Sequence, residues 1–171
     1  MAENKTGVRA RRMQASYLDI GVSGTTAFNL LGTGFKDLNE EPGAKTTSKR
    51  YVNDASETSS VSGYEWKTAF NADQIRSIEV IEYICRLGEL EKTGGDVEKD
   101  YVVVDLDVAI ESKQDTYRAR KKRVAIAVST FGNEDGEMTC EGELLGIGDM
   151  VEGEFNTSTK TFTPTTEVVG G

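Results

Sequence analysis

The sequence of 171 residues contains no histidine, two cysteines and no apolar run of membrane-spanning length. Each shortage closes a class of function. Without histidine, serine–histidine and cysteine–histidine nucleophiles and most zinc centres are excluded, so any acid–base work would fall to carboxylates. Cys85 and Cys140 both lie among apolar neighbours, where buried free thiols are expected rather than a disulfide or a ligand pair. Residues 1–24 carry Arg9, Arg11 and Arg12 but no apolar run of signal-peptide length, so a cytosolic origin is expected and no membrane partner. The Asn-x-Ser/Thr matches at Asn4 and Asn156 then read as chance. A net charge of −9 leaves too little basic surface for stable nucleic-acid binding, but it suits a surface that repels nucleic acid.

What is present is a chain long enough for one domain with a real core. With 37% hydrophobic and 29% charged residues, a good part of it is expected to lie outside that core. The organising stretch is 117–162, where three strand signals follow one another. In its clearest part, Met138, Cys140 and Leu144 alternate with Glu137, Thr139, Glu141 and Glu143, predicting one dry face and one wet face. Before it, Val124, Ile126 and Val128 alternate with alanines, and Asn133, Glu134, Asp135 and Gly136 supply a tight reversal. After it, Asn156, Thr157, Ser158 and Thr159 form a second polar turn. Residues 124–171 hold nine Asp/Glu against Lys160 alone, whereas 1–123 hold 19 basic and 20 acidic residues. The acid is concentrated on this meander.

Upstream, residues 1–14 read as a basic N-terminal arm, 15–22 and 28–31 as short strands, and 37–62 as a long polar insert without structure of its own. Residues 63–70 return to strand, with Tyr64, Trp66 and Phe70 on one face. A helix is expected to start at an Asn71 or Asp73 cap and run to about Leu90, since Ile78, Ile81, Ile84 and Leu87 recur every three residues, with a strand as the alternative because the three isoleucines are β-branched. Residues 101–110 form a strand with Val102, Val104 and Leu106 inward and Asp105 and Asp107 outward. The basic run Arg118, Arg120, Lys121, Lys122, Arg123 begins the first long strand of the meander, and 164–171 form a C-terminal tail. The domain proper is then 15–163. The fold class is mainly β (α+β), an antiparallel β-sandwich or barrel of roughly seven or eight strands with one flanking helix.

No catalytic site emerges. The pairs Asp105/Asp107 and Glu141/Glu143 share strand faces, as solvated carboxylates commonly do. Asp105-x-Asp107 lacks the glycine and distal glutamate of a calcium loop. Gly146-x-Gly148 lacks the third glycine of a dinucleotide fingerprint and is better read as a bend between strands. Neither a metal nor a cofactor is expected. The basic run points to an acidic protein surface as its partner.

The sequence resembles the tail tube proteins, or major tail proteins, of long-tailed bacteriophages and related phage-tail-like particles. The residues that carry the resemblance are 28–35 before the insert, then Lys49, Arg50, Tyr51, Val52, Asn53 and Asp54 followed by Gly63 and Tyr64. The closing pattern is Gly148, Asp149, Val151, Gly153, Phe155, Asn156, Thr159, Lys160 and Phe162. The resemblance implies a tail-tube-like β-sandwich with a flanking helix and no enzymatic activity. Subunits of the family typically close into hexameric rings whose inner strands join into one barrel, and a long hairpin and a terminal arm bridge neighbours. The rings stack into a virion tail tube, made in the bacterial host cytoplasm, that conducts DNA. Its partners would be further copies of the chain, a tape-measure protein, and tail terminator and baseplate proteins. On this reading Glu137, Glu141 and Glu143 face the lumen, while Arg118, Arg120, Lys122, Arg123, Lys49, Arg50 and Tyr51 make intersubunit contacts. The alternative is a ligand-binding β-sandwich module serving decoration or adhesion, whose binding face should gather aromatics.

Overall fold

A computed structural model describes residues 7–22 and 24–165. Positions 1–6 of the expected arm and positions 166–171 of the expected tail lie outside them. The described residues form ten strands and one α-helix. The strands are β1 (Gln14–Asp19), β2 (Phe28–Leu30), β3 (Phe35–Glu41), β4 (Ala44–Lys49), β5 (Thr58–Tyr64), β6 (Lys67–Asp73), β7 (Glu98–Ala109), β8 (Thr116–Glu134), β9 (Glu137–Asn156) and β10 (Thr161–Pro164). The helix, α1, is Glu79–Glu89. One antiparallel sheet runs β2-β1-β7-β8-β9-β6-β3, with β10 beside the end of β9, while β4 and β5 form a separate two-stranded hairpin. The expected mainly-β fold with one flanking helix is what forms.

The meander sets the architecture. Asp135 (φ 51°) and Gly136 (φ 87°) place two positive φ angles in succession, the type I′ geometry that matches strand twist, and the Asn133 side chain accepts the Gly136 N–H at 2.8 Å. The strands on either side, 19 and 20 residues long, are too long to stay flat. They bend at register shifts near Lys121/Arg123 and Val128/Thr130. Gly148 (φ 70°) lies in the first of these, so the bend expected there is a bulge inside one continuous strand.

The bent sheet buries apolar residues on both sides. The larger core joins α1 to Leu18, Trp66, Phe70, Tyr101, Val103, Ile126, Cys140 and Leu144. A smaller one on the opposite face gathers Tyr17, Phe28, Val102, Val104, Ala119 and Phe155, with the Tyr17 and Phe155 rings 4.5 Å apart. β7 is thus dry on both faces, each fully buried side chain contributing about 1.5–3 kcal/mol. Its alternation therefore fails as a guide, because Asp105, expected to face water, is 4% exposed.

Three other local expectations shift. The helix begins at Glu79, with Ile78 at the cap position and no side-chain cap, because Asn71, Ala72 and Asp73 are held in β6 by pairing with Glu141, Cys140 and Thr139. Pairing along β9 outweighs the capping signal. Residues 37–62 are not structureless: they supply most of β3 and the bulk of the β4–β5 hairpin. Tyr64 belongs to exposed β5, whereas Trp66, Thr68, Phe70 and Ala72 point into the core. Helix and sheet meet closely at Gly88, where a Cβ would lie 2.7 Å from Val128 Cγ1, so only glycine lets α1 sit this low. Cys85 and Cys140 are free and buried, as expected.

Candidate assembly surfaces

The sheet half β8-β9-β6-β3 presents its acidic face on the side away from α1. Glu143 meets Lys67 at 3.2 Å, and Lys67 also reaches Glu41 at 3.6 Å; the hydrogen bond to Glu143 is the chief cause raising the Lys67 pKa. Glu141 accepts a hydrogen bond from the Asn71 amide at 3.2 Å. A shallow open groove of about 460 Å³ runs between them over Ala69, Ala127 and Ser129. Glu137 stands exposed at the turn opposite Glu134. The alternation expected around it changes at the strand end, where Met138 is 53% exposed and Thr139 is buried, its carbonyl taken by the Gln74 side chain at 3.0 Å. Farther along β9 the same face turns apolar, with Leu145, Ile147 and Val151 partly exposed.

Two edges of this half remain open among the described residues. β7 pairs with β8 only as far as Ala125, so 126–134 offer backbone groups on one side. Beside them, Leu87, Gly88, Lys92, Thr93 and Phe131 border a groove of about 350 Å³. At the other end, β3 pairs with β6 alone, and its far side is touched by Arg11, which donates to the Leu38 carbonyl at 3.2 Å.

The three arginines of the basic run each meet a carboxylate of the same chain. Arg118 binds Asp105 at 2.9 Å, Arg120 grips both carboxylate oxygens of Glu40 at 2.8 and 3.2 Å, and Arg123 reaches Asp100 at 3.3 Å. Lys122 donates to the Gly148 carbonyl at 2.9 Å and lies over the Trp66 ring. Burial works to lower the Arg120 pKa, but Glu40 prevails and raises it. From the arm, Arg9 clamps Asp105 at 2.6 Å and Asp107 at 2.9 Å, so Asp105 sits between two guanidiniums. Sequence reasoning missed Glu40, Asp105 and Arg9 as partners. The one available signal was an aspartate inside a valine run, which asks for a counter-charge.

Lys49, Arg50 and Tyr51 come together at the tip of the β4–β5 hairpin. Both strands are exposed almost throughout and are held by a ladder of hydroxyls, Thr47 to Ser60 at 3.2 Å and Ser48 to Ser59 at 3.1 Å. Asp54 closes the tip by accepting the Tyr51 N–H at 2.9 Å. Tyr51 and Val52 stand free at its end, 65% and 110% exposed. Among the described residues no group of acidic or cysteine side chains is arranged to hold a metal.

No protein family matches the sequence, and neither does any curated protein. Among solved structures, the fold resembles one chain of the anti-feeding prophage baseplate, determined by cryo-electron microscopy with six-fold symmetrisation. The match spans 86% of this chain and 95% of that one, at 8% identity and a TM-score of 0.48. So slight a likeness carries no functional argument.

Proposed function

We propose that the chain is a structural protein of a phage tail or tail-like particle, closing into rings that stack into a tube. The observation that carries this reading is the half-sheet β8-β9-β6-β3, open at both edges and acidic on the face away from the helix. The two edges differ, so joining 126–134 of one copy to β3 of the next is a head-to-tail contact, and repeated rotation closes it into a ring. Closure pairs edges that would otherwise invite aggregation, and the groove beside β8 leaves room for the incoming strand. The projecting β4–β5 hairpin, with Tyr51 and Val52 at its tip, is placed to reach a copy in the next ring. Glu137, Glu141 and Glu143 then face the channel, where like charge keeps a passing phosphate backbone from adhering. The ligand-module alternative calls for a face of clustered aromatics, and of Tyr64, Trp66 and Phe70 only Tyr64 is exposed. Electron microscopy and gel filtration of the purified chain decide between them: rings or tubes are expected, and a persistent monomer at high concentration overturns the proposal.

A further inference from the structure

Cys85 projects from α1 and Cys140 from β9 onto the same narrow gap, which they share with Phe35, Phe70, Ala72 and Ile84 and which is too small to hold water. The thiols are 0% and 1% exposed. We infer that this pair is a cross-linking site, converted by hydrogen peroxide into a disulfide that staples the helix to the sheet. The inference stands apart from what the chain assembles into.

The surroundings assign the two sulfurs different parts. A hydrogen bond from Cys140 is the chief influence lowering the Cys85 pKa, against the opposing effect of burial and with help from the positive charge of Arg76. The same hydrogen bond, with burial, raises Cys140. Cys85 is therefore the readier of the two to ionise and acts, once deprotonated, as the first nucleophile. Its sulfur attacks one peroxide oxygen, the O–O bond breaks and hydroxide leaves, giving a sulfenic acid. The Cys140 sulfur then attacks the Cys85 sulfur, the S–O bond breaks, and the hydroxyl departs as water with the Cys140 proton. In balance, two thiols and one peroxide give one disulfide and two waters. With apolar side chains lining the rest of the gap, Cys140 is the partner at hand for the sulfenic acid. Access for peroxide comes from transient lifting of α1, a helix without a side-chain cap.

The disulfide would close residues 86–139 into a covalent loop, which restricts the unfolded chain. The test treats the full chain with millimolar hydrogen peroxide, alkylates under denaturing conditions without reductant, and measures intact mass and melting temperature. The expected result is a monomer lighter by two hydrogens, without alkyl adducts, yielding a Cys85–Cys140 peptide on digestion. Its Tm should rise by about 5–10 °C, and reductant should reverse both changes. C140A should show neither the mass loss nor the rise. Two alkylated cysteines after peroxide, or sulfinic acid at Cys85 without a cross-link, overturns the inference. Because the mass of the unaltered chain decides it, poor folding of the variant would not rescue it.

Discussion

Arg120 and Glu40 meet through two parallel hydrogen bonds in a half-buried position, a geometry in which each charge depends on the other for its solvation. Removing one partner strands the other. R120A or E40A is expected to lower the unfolding free energy by about 1–3 kcal/mol, with the double variant costing less than the sum, as urea titration would measure. Equal and additive small effects would show that the pair is solvated after all. Tyr101 offers a second test through its titration. Burial pushes its phenol up to about 12, against the lowering influence of its bond to Ser16. A folded pKa above the ordinary 10.0 favours the neutral form, so this contribution to stability is complete below pH 10 and is lost as pH rises toward about 12. Alkaline unfolding should therefore coincide with phenolate absorbance from Tyr101, and Y101F should flatten that limb of the pH–stability curve. An unchanged limb would mean that another group governs it.

At the scale of elements, legibility depended on how many faces of a segment are buried. The meander was readable because its turn chemistry is local: Asp135 and Gly136 demand one hairpin geometry whatever packs around it. β7 departs from its expected alternation because period two carries information only when one face is wet, and Tyr101 to Val104 are buried on both. The helix begins later than its cap signals suggest, since Asn71 and Asp73 are strand residues whose pairing partners on β9 lie about seventy positions away. The polar insert looked structureless because β4 and β5 bury nothing for themselves, and a hydroxyl ladder leaves no apolar periodicity. That same lack of burial makes the hairpin removable. Replacing Ala44–Tyr64 with a short Gly-Ser linker, while keeping Glu40 for Arg120, should change the melting free energy of the subunit by less than about 1 kcal/mol, yet abolish long tubes in electron micrographs. Normal tubes from that variant would remove the hairpin from the assembly mechanism.

For the whole molecule, what matters is how charge is partitioned. Three arginines of the basic run pair inside the subunit, with Asp105, Glu40 and Asp100, and those pairings are illegible from the sequence because the partners come from distant strands. The acidic face away from the helix is left with fewer counter-charges. Lys67 and Asn71 each touch one of its glutamates but leave Glu137 exposed beside Glu134 and Asp135. On a monomer such a face contributes only solubility, and changing Glu137, Glu141 and Glu143 to lysine would have little consequence. In a closed ring the change repeats with every subunit and every layer, turning a wall that repels phosphate into one that binds it and releases counterions. The triple lysine variant keeps every buried side chain and both open edges, so it should still build tubes. DNA passage through particles made wholly from it should slow or stall, and the defect should ease as salt rises and screening shortens the reach of each charge. Normal passage at low salt, in tubes of normal length, would place these glutamates on the outer surface and leave the channel to be lined by another face.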